Sequence, residues 1–370
     1  MAGEFGTVSR RTFLAGTALA AASTVVRGQS GSQGAKPLGF ALVGIGSLSM
    51  GQLLPAFAEC KYARPVALVS GHPEKAKQQA ARYGIDAKNI YNYENFDSIK
   101  DNPEIDVVYI VLPNGMHAEY TIRAAQAGKH VLCEKPMANT PEECQAMIDA
   151  CRAASRKLMI AYRLHYEPVT RKAIELARSP EAVGTIKQIT ADAGFKIGDP
   201  AQWRLNRKLA GGGSLMDIGI YALQAVRYLS GEEPVSVSAL SYSSPDNPRF
   251  KEVEETIQFD LRFPSGALAS CTSSYGFACN RYRVYGTAGQ LDSEPFLSYQ
   301  GNRLWHRQDE TSEELAIEPE NHFALEMDHF AQCVRNDETP KTPGEEGLRD
   351  LKIMMGIYEA ARSGKTVSLS

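Results

Sequence analysis

The 370-residue sequence lacks a strong net charge, a long apolar run and any metal-spaced group of cysteines. Its formal net charge is −3 at pH 7. Binding to nucleic acid or to anionic membranes requires a basic surface, so this balance favours neither class of partner. The seven cysteines form no C-x-x-C motif and no Cys/His cluster, so we expect no metal site. No apolar run reaches the roughly 20 residues of a confident membrane span, and we expect no membrane segment in the mature protein.

The cysteines lie mostly within apolar or helical patterns. This placement favours reduced thiols in the core and folding in a reducing compartment. A structural disulfide is an open alternative.

The N-terminus resembles an export signal. Arg10 and Arg11 precede a short, Ala-rich apolar stretch at residues 14–26, and a Gly/Ser-rich segment follows at residues 28–37. A charged start before a short apolar region is typical of a twin-arginine signal. We therefore predict a signal and tether at residues 1–35 and a periplasmic location. The alternative is an amphipathic helix of the mature domain.

Apolar strands alternate with helical patterns over residues 36–160. This alternation predicts a doubly wound parallel sheet, the Rossmann type of α/β fold. Residues 161–370 contain mostly strand-like segments and few helices, which predicts an α+β domain on a large, open, mostly antiparallel sheet. No long linker separates the halves, so we expect the functional site in the cleft between them.

The first strand ends in a glycine-rich turn, Gly44-x-Gly46-x-x-Ser49. Two glycines allow a tight turn and a close approach of the backbone to a pyrophosphate. Ser49 replaces the third glycine of the dinucleotide pattern, which is a departure from it. The alternative is an ordinary helix-opening turn.

The second strand ends at Ser70, where an NAD-binding protein usually has Asp or Glu. Lys75 follows about one helical turn later. A hydroxyl and a cation suit a ribose 2′-phosphate, so we predict NADP(H) rather than NAD. Lys75 could equally be a solvated helix lysine, and the missing acid is the stronger half of this argument.

Lys135 ends another predicted parallel strand, and ligands bind beyond the carboxyl ends of such strands. Because Pro136 follows it, Lys135 is extended and its ammonium should point into the cleft. There it could hold a sugar hydroxyl. The alternative is an exposed lysine at a strand end.

Asp217 and Tyr221 follow a run of three glycines and share one face of a predicted helix. A tyrosine can exchange a proton with a carbinol or carbonyl oxygen if a nearby cation lowers its pKa, and we expect Lys135 to be that cation. Ser214 is a good N-cap, so Asp217 could instead complete a capping box with it.

The segments "VLPNGMHAEYTIRAAQAGKHVLCEKPMA", "KLMIAYRLHY" and "WRLNRKLAGGGSLMDIGIYAL" resemble the glucose–fructose oxidoreductase / inositol dehydrogenase (Gfo/Idh/MocA) family, over residues 38–366. The resemblance implies Lys135, Asp217 and Tyr221 as catalytic residues. It implies these cofactor contacts: Gly44, Gly46, Ser47, Leu48, Ser70, Gly71, Lys75, Tyr93, Leu112, Pro113, Asn114, His117, Glu134, Lys135, Arg163, Trp203 and Arg204.

Within the family, the exported glucose–fructose and aldose–aldose oxidoreductases are most similar. The resemblance implies oxidation of an aldose at C1 to its lactone and a homodimer through the C-terminal sheet. An exported enzyme has no pool of free NADP, so we expect tightly bound NADP(H) that a second sugar reoxidises in place, by a ping-pong mechanism. The alternatives are a redox-assisted glycoside hydrolase, a non-catalytic binding module and a cytoplasmic dehydrogenase with exchangeable NADP.

Overall fold

The computed structural model describes residues 36–369, so the predicted signal and tether lie outside the described residues. Two β-sheets with helices packed on them make up this part of the chain. Among the described residues, no helix combines the length and apolar character needed to cross a bilayer.

Six parallel strands form the first sheet: β1 (Leu38–Val43), β2 (Ala63–Val69), β3 (Ile90–Tyr91), β4 (Val107–Ile110), β5 (His130–Glu134) and β6 (Leu158–Ala161). Their order is β3-β2-β1-β4-β5-β6. The strand order reverses between β1 and β4, and ligands of such sheets bind at that crevice. The predicted Rossmann-type fold is therefore confirmed. The prediction omitted β3, because two residues carry no periodic pattern.

Nine α-helices lie within residues 36–369: α1 (Leu54–Ala56), α2 (Pro73–Tyr83), α3 (His117–Gln126), α4 (Pro141–Ala153), α5 (Pro168–Ala177), α6 (Arg207–Ala210), α7 (Ile220–Ser230), α8 (His322–Asn336) and α9 (Gly344–Ser363). Thr140 caps α4 and forms a complete capping box with Glu143. Gly84 ends α2 with φ +67°, a conformation that favours glycine.

Nine strands form the second sheet: β7 (Ile186–Gly194), β8 (Ser236–Tyr242), β9 (Thr256–Arg262), β10 (Leu268–Ser274), β11 (Cys279–Gly286), β12 (Gln290–Ser293), β13 (Trp305–Gln308), β14 (Thr311–Glu314) and β15 (Val367–Ser368). Their order is β14-β13-β12-β11-β7-β10-β9-β8-β15, and only β7 and β10 pair in parallel among them. Alternate residues of β9 are buried and exposed, so one face packs against helices and the other is open. The predicted large, mostly antiparallel sheet is confirmed.

Helix α8 packs against the first sheet, although it lies far along the chain. Phe323, Met327 and Phe330 join the same apolar cluster as Phe40 and Leu42 of β1. Two faces of that sheet must be covered, because every residue of β4 is fully buried. Helix α8 covers part of one face. The first sheet therefore packs against residues far beyond the predicted domain boundary at residue 160.

A buried ion cluster joins α7, which follows the predicted catalytic segment, to α9. Arg227 is 3% exposed and Asp350 is fully buried. The Arg227 guanidinium contacts the Asp350 carboxylate, Glu346 at 2.8 Å and Glu233 at 2.7 Å. The Gln224 amide donates to the other Asp350 oxygen at 3.0 Å. Several partners therefore satisfy both buried charges, as such charges require.

We expect Asp350→Ala to lower the free energy of unfolding by about 3–5 kcal/mol, because it leaves the Arg227 charge buried without its main partner. Arg349→Ala is the control. Its side chain is 49% exposed and pairs with the same Glu233, so its loss should cost less than about 1 kcal/mol. Urea unfolding of both variants measures the difference. Equal stabilities would contradict the importance of the buried cluster.

Candidate active site

A cleft of about 900 Å³ lies between the carboxyl edge of the first sheet and residues of the C-terminal half. Most residues predicted from the sequence line it: Gly44, Gly46, Ser47, Leu48, Ser70, Lys75, Tyr93, Leu112, Pro113, Asn114, Glu134, Lys135, Arg163, Trp203, Arg204, Asp217 and Tyr221. The topology thus brings side chains from distant parts of the sequence to one place.

The glycine turn after β1 has the geometry expected of a phosphate cradle. Gly44 has φ +97°, and a Cβ there would meet the Val111 carbonyl oxygen at 2.3 Å. Gly46 faces open space, with no atom within 4 Å of a Cβ position. Ser49 donates its hydroxyl to the Gly44 carbonyl at 2.6 Å. A serine at the third position therefore closes the turn with a hydrogen bond.

Ser70 and Lys75 both line this end of the cleft. Ser70 Oγ accepts a hydrogen bond from the His72 N–H at 3.0 Å, and Lys75 Nζ donates to the Ile45 carbonyl at 3.4 Å. Lys75 thus reaches back over the glycine turn. The only carboxylates among the described cleft-lining residues are Glu134 and Asp217, so no acid faces a ribose at the end of β2.

These residues fit a nicotinamide dinucleotide. The open glycine backbone suits the phosphates, and the lysine at the cleft mouth suits the ribose end. The cleft continues along the strand ends to Lys135, where there is room for the redox-active ring. When bound, this cofactor supplies a hydride acceptor and donor.

Lys135, Asp217 and Tyr221 meet in the cleft, as predicted. Lys135 Nζ donates to the Asp217 carbonyl oxygen at 2.6 Å and lies 3.5 Å from Asp217 Oδ1. The same ammonium lies 4.8 Å from the centre of the Tyr221 ring. Lys135 therefore faces the π-system of the tyrosine.

Two further groups hold the Asp217 carboxylate. Arg204 Nε donates to Oδ2 at 2.7 Å, and the Tyr275 hydroxyl donates to the same oxygen at 3.1 Å. Burial favours the protonated acid, but the charges of Arg204 and Lys135 and these hydrogen bonds outweigh burial and lower the pKa of Asp217. Asp217 is thus a fixed negative charge beside Lys135.

Arg163 is the cation that reaches the Tyr221 hydroxyl. Its Nε donates to Tyr221 Oη at 3.2 Å, and its guanidinium stacks 4.9 Å from the centres of the Tyr221 and Tyr299 rings. Its other nitrogens donate to the carbonyls of Leu297 and Ser298. The sequence predicts Lys135 as the cation near Tyr221. Lys135 contacts the ring, and Arg163, which the sequence analysis gives only as a cofactor contact, donates to the oxygen.

Glu254 caps the start of the helical segment that carries Asp217. Its carboxylate accepts hydrogen bonds from the backbone N–H groups of Gly213 at 2.8 Å and Leu215 at 3.0 Å. Negative charge at a helix N-terminus satisfies otherwise unpaired N–H groups and interacts favourably with the helix dipole.

Ser214, which the sequence predicts as N-cap, makes no capping hydrogen bond. Its hydroxyl donates to the Ser273 carbonyl at 3.2 Å. Ser214 therefore occupies the predicted N-cap position without capping through its side chain, and the capping-box alternative for Asp217 is wrong. Because Glu254 occupies the helix start, the Asp217 side chain points into the cleft.

Two predicted cofactor contacts do not line the cleft. His117 is fully buried, and its two ring nitrogens lie 2.9 Å from the Pro136 carbonyl oxygen and 2.8 Å from the Leu112 carbonyl oxygen. The His117 ring therefore links the backbone of two loops that line the cleft. It does not line the cleft itself, so its prediction as a cofactor contact is corrected. A Cβ on Gly71 would meet the Tyr93 ring at 3.1 Å, so this glycine gives that ring space.

Trp203 and Arg204 were also predicted as cofactor contacts. The Arg204 guanidinium lies 4.6 Å from the centre of the Trp203 ring and bonds Asp217. Both side chains therefore lie at the Asp217 end of the cleft, far along the chain from the glycine turn.

The sequence analysis missed ten residues that line the cleft: Ile45, His72, Val111, Phe195, Gln202, Ile218, Leu297, Ser298, Tyr299 and Phe323. It also missed Tyr275, which holds Asp217. Ile45, His72, Val111, Gln202 and Ile218 adjoin predicted site residues and could have been found. The other five lie in segments with no motif of their own. Within residues 36–369, no group of three or more His, Cys, Asp or Glu could hold a metal ion.

Two comparisons place the chain among proteins of known activity. D-xylose 1-dehydrogenase [NADP(+)] of Haloarcula marismortui is 34% identical over 339 residues, which cover 90% of this chain and 93% of that protein. The crystal structure of aldose-aldose oxidoreductase from Caulobacter crescentus, complexed with glycerol, is 49% identical with a TM-score of 0.88. That alignment covers 90% of this chain and all of the other.

Both halves of the chain match models of one oxidoreductase family. Residues 38–162 match its NAD-binding Rossmann fold, and residues 181–369 match its C-terminal alpha/beta domain. A second xylose dehydrogenase, from Haloferax volcanii, is 30% identical over 89% of this chain. The chain therefore belongs to the Gfo/Idh/MocA family of oxidoreductases, and its N-terminal domain is the family's nicotinamide-dinucleotide-binding domain.

Proposed function

We propose that this protein is a sugar oxidoreductase that oxidises an aldose at C1 to the lactone with NADP(H). The cofactor stays bound, and a second sugar, an aldose or a ketose, reoxidises it in a ping-pong cycle and becomes an alditol. The observation that carries the proposal is the meeting of Lys135, Asp217 and Tyr221 in a cofactor-sized cleft. The activities of the aldose-aldose oxidoreductase and the xylose dehydrogenases support the substrate class.

Tyr221 exchanges the proton of the C1 hydroxyl. Arg163 donates a hydrogen bond to Tyr221 Oη, so it stabilises negative charge that develops on the phenol oxygen. Lys135 orients the C1 hydroxyl beside the tyrosine ring. The ionised Asp217 holds Lys135 in place, and Arg204 and Tyr275 hold Asp217.

The preference for NADP(H) rests on Ser70 and Lys75. Lys75 is half-buried at the mouth of the cleft, and no described cleft residue there carries a negative charge that would repel a 2′-phosphate. A lysine binds phosphate as a point charge. The NADP(+) dependence of the xylose dehydrogenases supports this preference.

Export by a twin-arginine signal at residues 1–35 completes the proposal, because a periplasmic enzyme must keep its cofactor. With an association rate constant of about 10⁶ M⁻¹s⁻¹, retention for hours needs a dissociation rate constant of about 10⁻⁴ s⁻¹. The dissociation constant is then about 0.1 nM. In-place regeneration by a second sugar follows from such retention.

We propose that two copies associate through the open face of the C-terminal sheet. Leu240, Tyr242 and Leu268 are 73%, 59% and 49% exposed. Leu240 pairs with Gln258 and Leu268 with Arg262 of β9, whose side chains are also exposed. All three apolar side chains therefore lie on one face, and exposed apolar surface is typical of interaction sites.

Purified protein without added cofactor should gain absorbance near about 340 nm when glucose is added, because the sugar reduces retained nicotinamide. The absorbance should fall again when an acceptor sugar is added. No change without added NADP⁺ would contradict a retained cofactor. Cleavage of a nitrophenyl glycoside without net redox change would contradict the two-sugar cycle.

Tyr221→Phe should lower turnover by about 10²–10⁴-fold, because it removes the group that exchanges the proton. The control is Tyr242→Phe, which removes an exposed hydroxyl from the C-terminal sheet and should leave the rate near that of the wild type. Steady-state rates measured with both sugars present provide the comparison. A Tyr221→Phe rate near the wild-type value would exclude the tyrosine as acid/base.

Lys75→Ala should weaken NADP(H) binding by about 10- to 100-fold, because one charge-assisted contact to the 2′-phosphate is lost. NAD(H) binding should change much less. Lys77→Ala is a matched control two residues along α2, since Lys77 is 64% exposed and pairs with Glu74. Calorimetric titration of cofactor-stripped protein measures both affinities. Equal losses for both cofactors would contradict 2′-phosphate recognition.

A further inference from the structure

A buried chain of three oxygen-bearing side chains leads away from the cleft. The Tyr109 hydroxyl donates to Glu134 Oε1 at 2.9 Å and lies 3.4 Å from Glu326 Oε2. Tyr109 is fully buried and Glu326 is 1% exposed. Glu134 lines the cleft beside Lys135. Glu326 lies on α8, which packs against the first sheet. The proposed cycle, as described above, gives these two carboxyls no role.

The number of hydrogens available to these three side chains indicates which carboxyl group is protonated. Tyr109 has one hydroxyl hydrogen, which can serve only one of the two contacts, and we assign it to the shorter one, with Glu134. The contact between Tyr109 and Glu326 is attractive only if the Glu326 carboxyl carries a hydrogen. The other Glu326 oxygen is buried and has no hydrogen-bond partner, which an ionised carboxylate would not tolerate.

The surrounding charges agree with a neutral Glu326. Burial raises the pKa of Glu326 well above its usual range, the charge of Glu134 raises it further, and Arg163 opposes both effects. His322 lies one turn earlier on α8, and burial lowers its pKa to about 3, so it carries no charge there. Tyr166, whose pKa is raised by its own burial, also faces Glu326 and is neutral.

Glu134 is the member that can change its charge. Burial raises its pKa, while Lys135, the Tyr109 hydrogen bond and Arg163 lower it. The redox-active ring of the cofactor must meet the substrate beside Tyr221, in the part of the cleft that Glu134 also lines. Reduction of that ring removes a positive charge, and loss of a nearby positive charge raises the pKa of a carboxylate.

The proposed cycle requires a group that can hold one proton between its two half-reactions. Oxidation of the aldose would transfer the C1 hydride, with its electron pair, to a bound nicotinamide. The C1 hydroxyl gives its proton to Tyr221 Oη, and because the phenol already carries one hydrogen, Tyr221 must pass that hydrogen on. The second sugar takes back the hydride at its carbonyl carbon and needs one proton on its carbonyl oxygen. One proton is therefore left over after the first half-reaction and required in the second.

We propose that Glu134, with Tyr109 and Glu326 behind it, stores this proton between the two half-reactions. This inference rests on the proposed function. With oxidised cofactor, Glu134 is a carboxylate and Glu326 a neutral acid. The proton that Tyr221 receives passes through the cleft to Glu134, so that both carboxyls are neutral while the nicotinamide is reduced. The second half-reaction returns the proton through Tyr221 to the alditol.

The test mixes the holoenzyme with one equivalent of glucose in weakly buffered solution that contains a pH-indicator dye. Absorbance at about 340 nm measures the reduced cofactor, and the dye measures the released protons in the same sample. The dye is read in the first moments, because later hydrolysis of the lactone releases a proton of its own. The ratio of protons to reduced cofactor does not depend on the fraction of active protein.

Wild-type protein should release far less than one proton per reduced cofactor at neutral pH. Glu134→Gln, which cannot take up a proton, should release about one. Glu326→Gln keeps the shape and neutrality of the protonated acid, and should retain the proton as the wild type does. Release by Glu326→Gln would place the stored proton on Glu326 and overturn the assignment to Glu134.

A second measurement is the equilibrium between oxidised and reduced cofactor at fixed sugar and lactone concentrations. If the proton leaves the protein, the ratio of reduced to oxidised cofactor rises about tenfold per pH unit. The wild-type ratio should change less than about twofold between about pH 6 and 8, and the Glu134→Gln ratio about 100-fold.

The outcomes separate the two proposals. An absorbance rise with one proton released per reduced cofactor in the wild type would overturn the proton store and leave the sugar cycle intact. No absorbance change would overturn the sugar cycle, and the proton store with it.

Discussion

The contact between Lys135 and Asp217 is the constraint on which the cleft depends. Lys135 follows β5 of the first sheet, and Asp217 precedes α7, which packs against the second sheet. Their pairing fixes the distance between the nucleotide-binding edge and the helix that carries Tyr221. Arg204 neutralises the remaining Asp217 oxygen, so the buried carboxylate needs no solvent. Loss of Lys135 would leave Asp217 with Arg204 and Tyr275, whereas loss of Asp217 would remove the carboxylate beside the Lys135 ammonium.

Sequence patterns predicted the strands and helices with strong local signals. A strand such as β4, buried along its whole length, appears as a continuous apolar run, and α8 has helical periodicity over its full length. Strands β3, β12, β13, β14 and β15 were missed because they have two to four residues each and, unlike β4, are not apolar and buried along their whole length. Such short segments form because neighbouring strands offer them hydrogen-bond partners, and this information lies elsewhere in the chain.

The residues of the site divide in the same way, into those with a local sequence signal and those without one. Lys135, Asp217 and Tyr221 adjoin motifs, so their meeting in the cleft could be predicted. The hydrogen bond from Arg163 to Tyr221 joins residues 58 positions apart, and the one from Tyr275 to Asp217 also spans 58. The local pattern of Ser214 and Asp217 even predicted the wrong partner, because Glu254 reaches the same helix start from a distant strand connection. Pairings of this kind depend on the fold and have no local signature.

The return of α8 to the first sheet affects the order in which the chain becomes native during synthesis. The face that contains Phe40 and Leu42 stays partly bare until residue 336 has left the ribosome, since Phe323, Met327 and Phe330 cover it. The nucleotide-binding half therefore cannot mature ahead of the C-terminal half, as an independent N-terminal domain would. A growing chain therefore has an incomplete cleft, because Phe323, which also lines the cleft, is synthesised late.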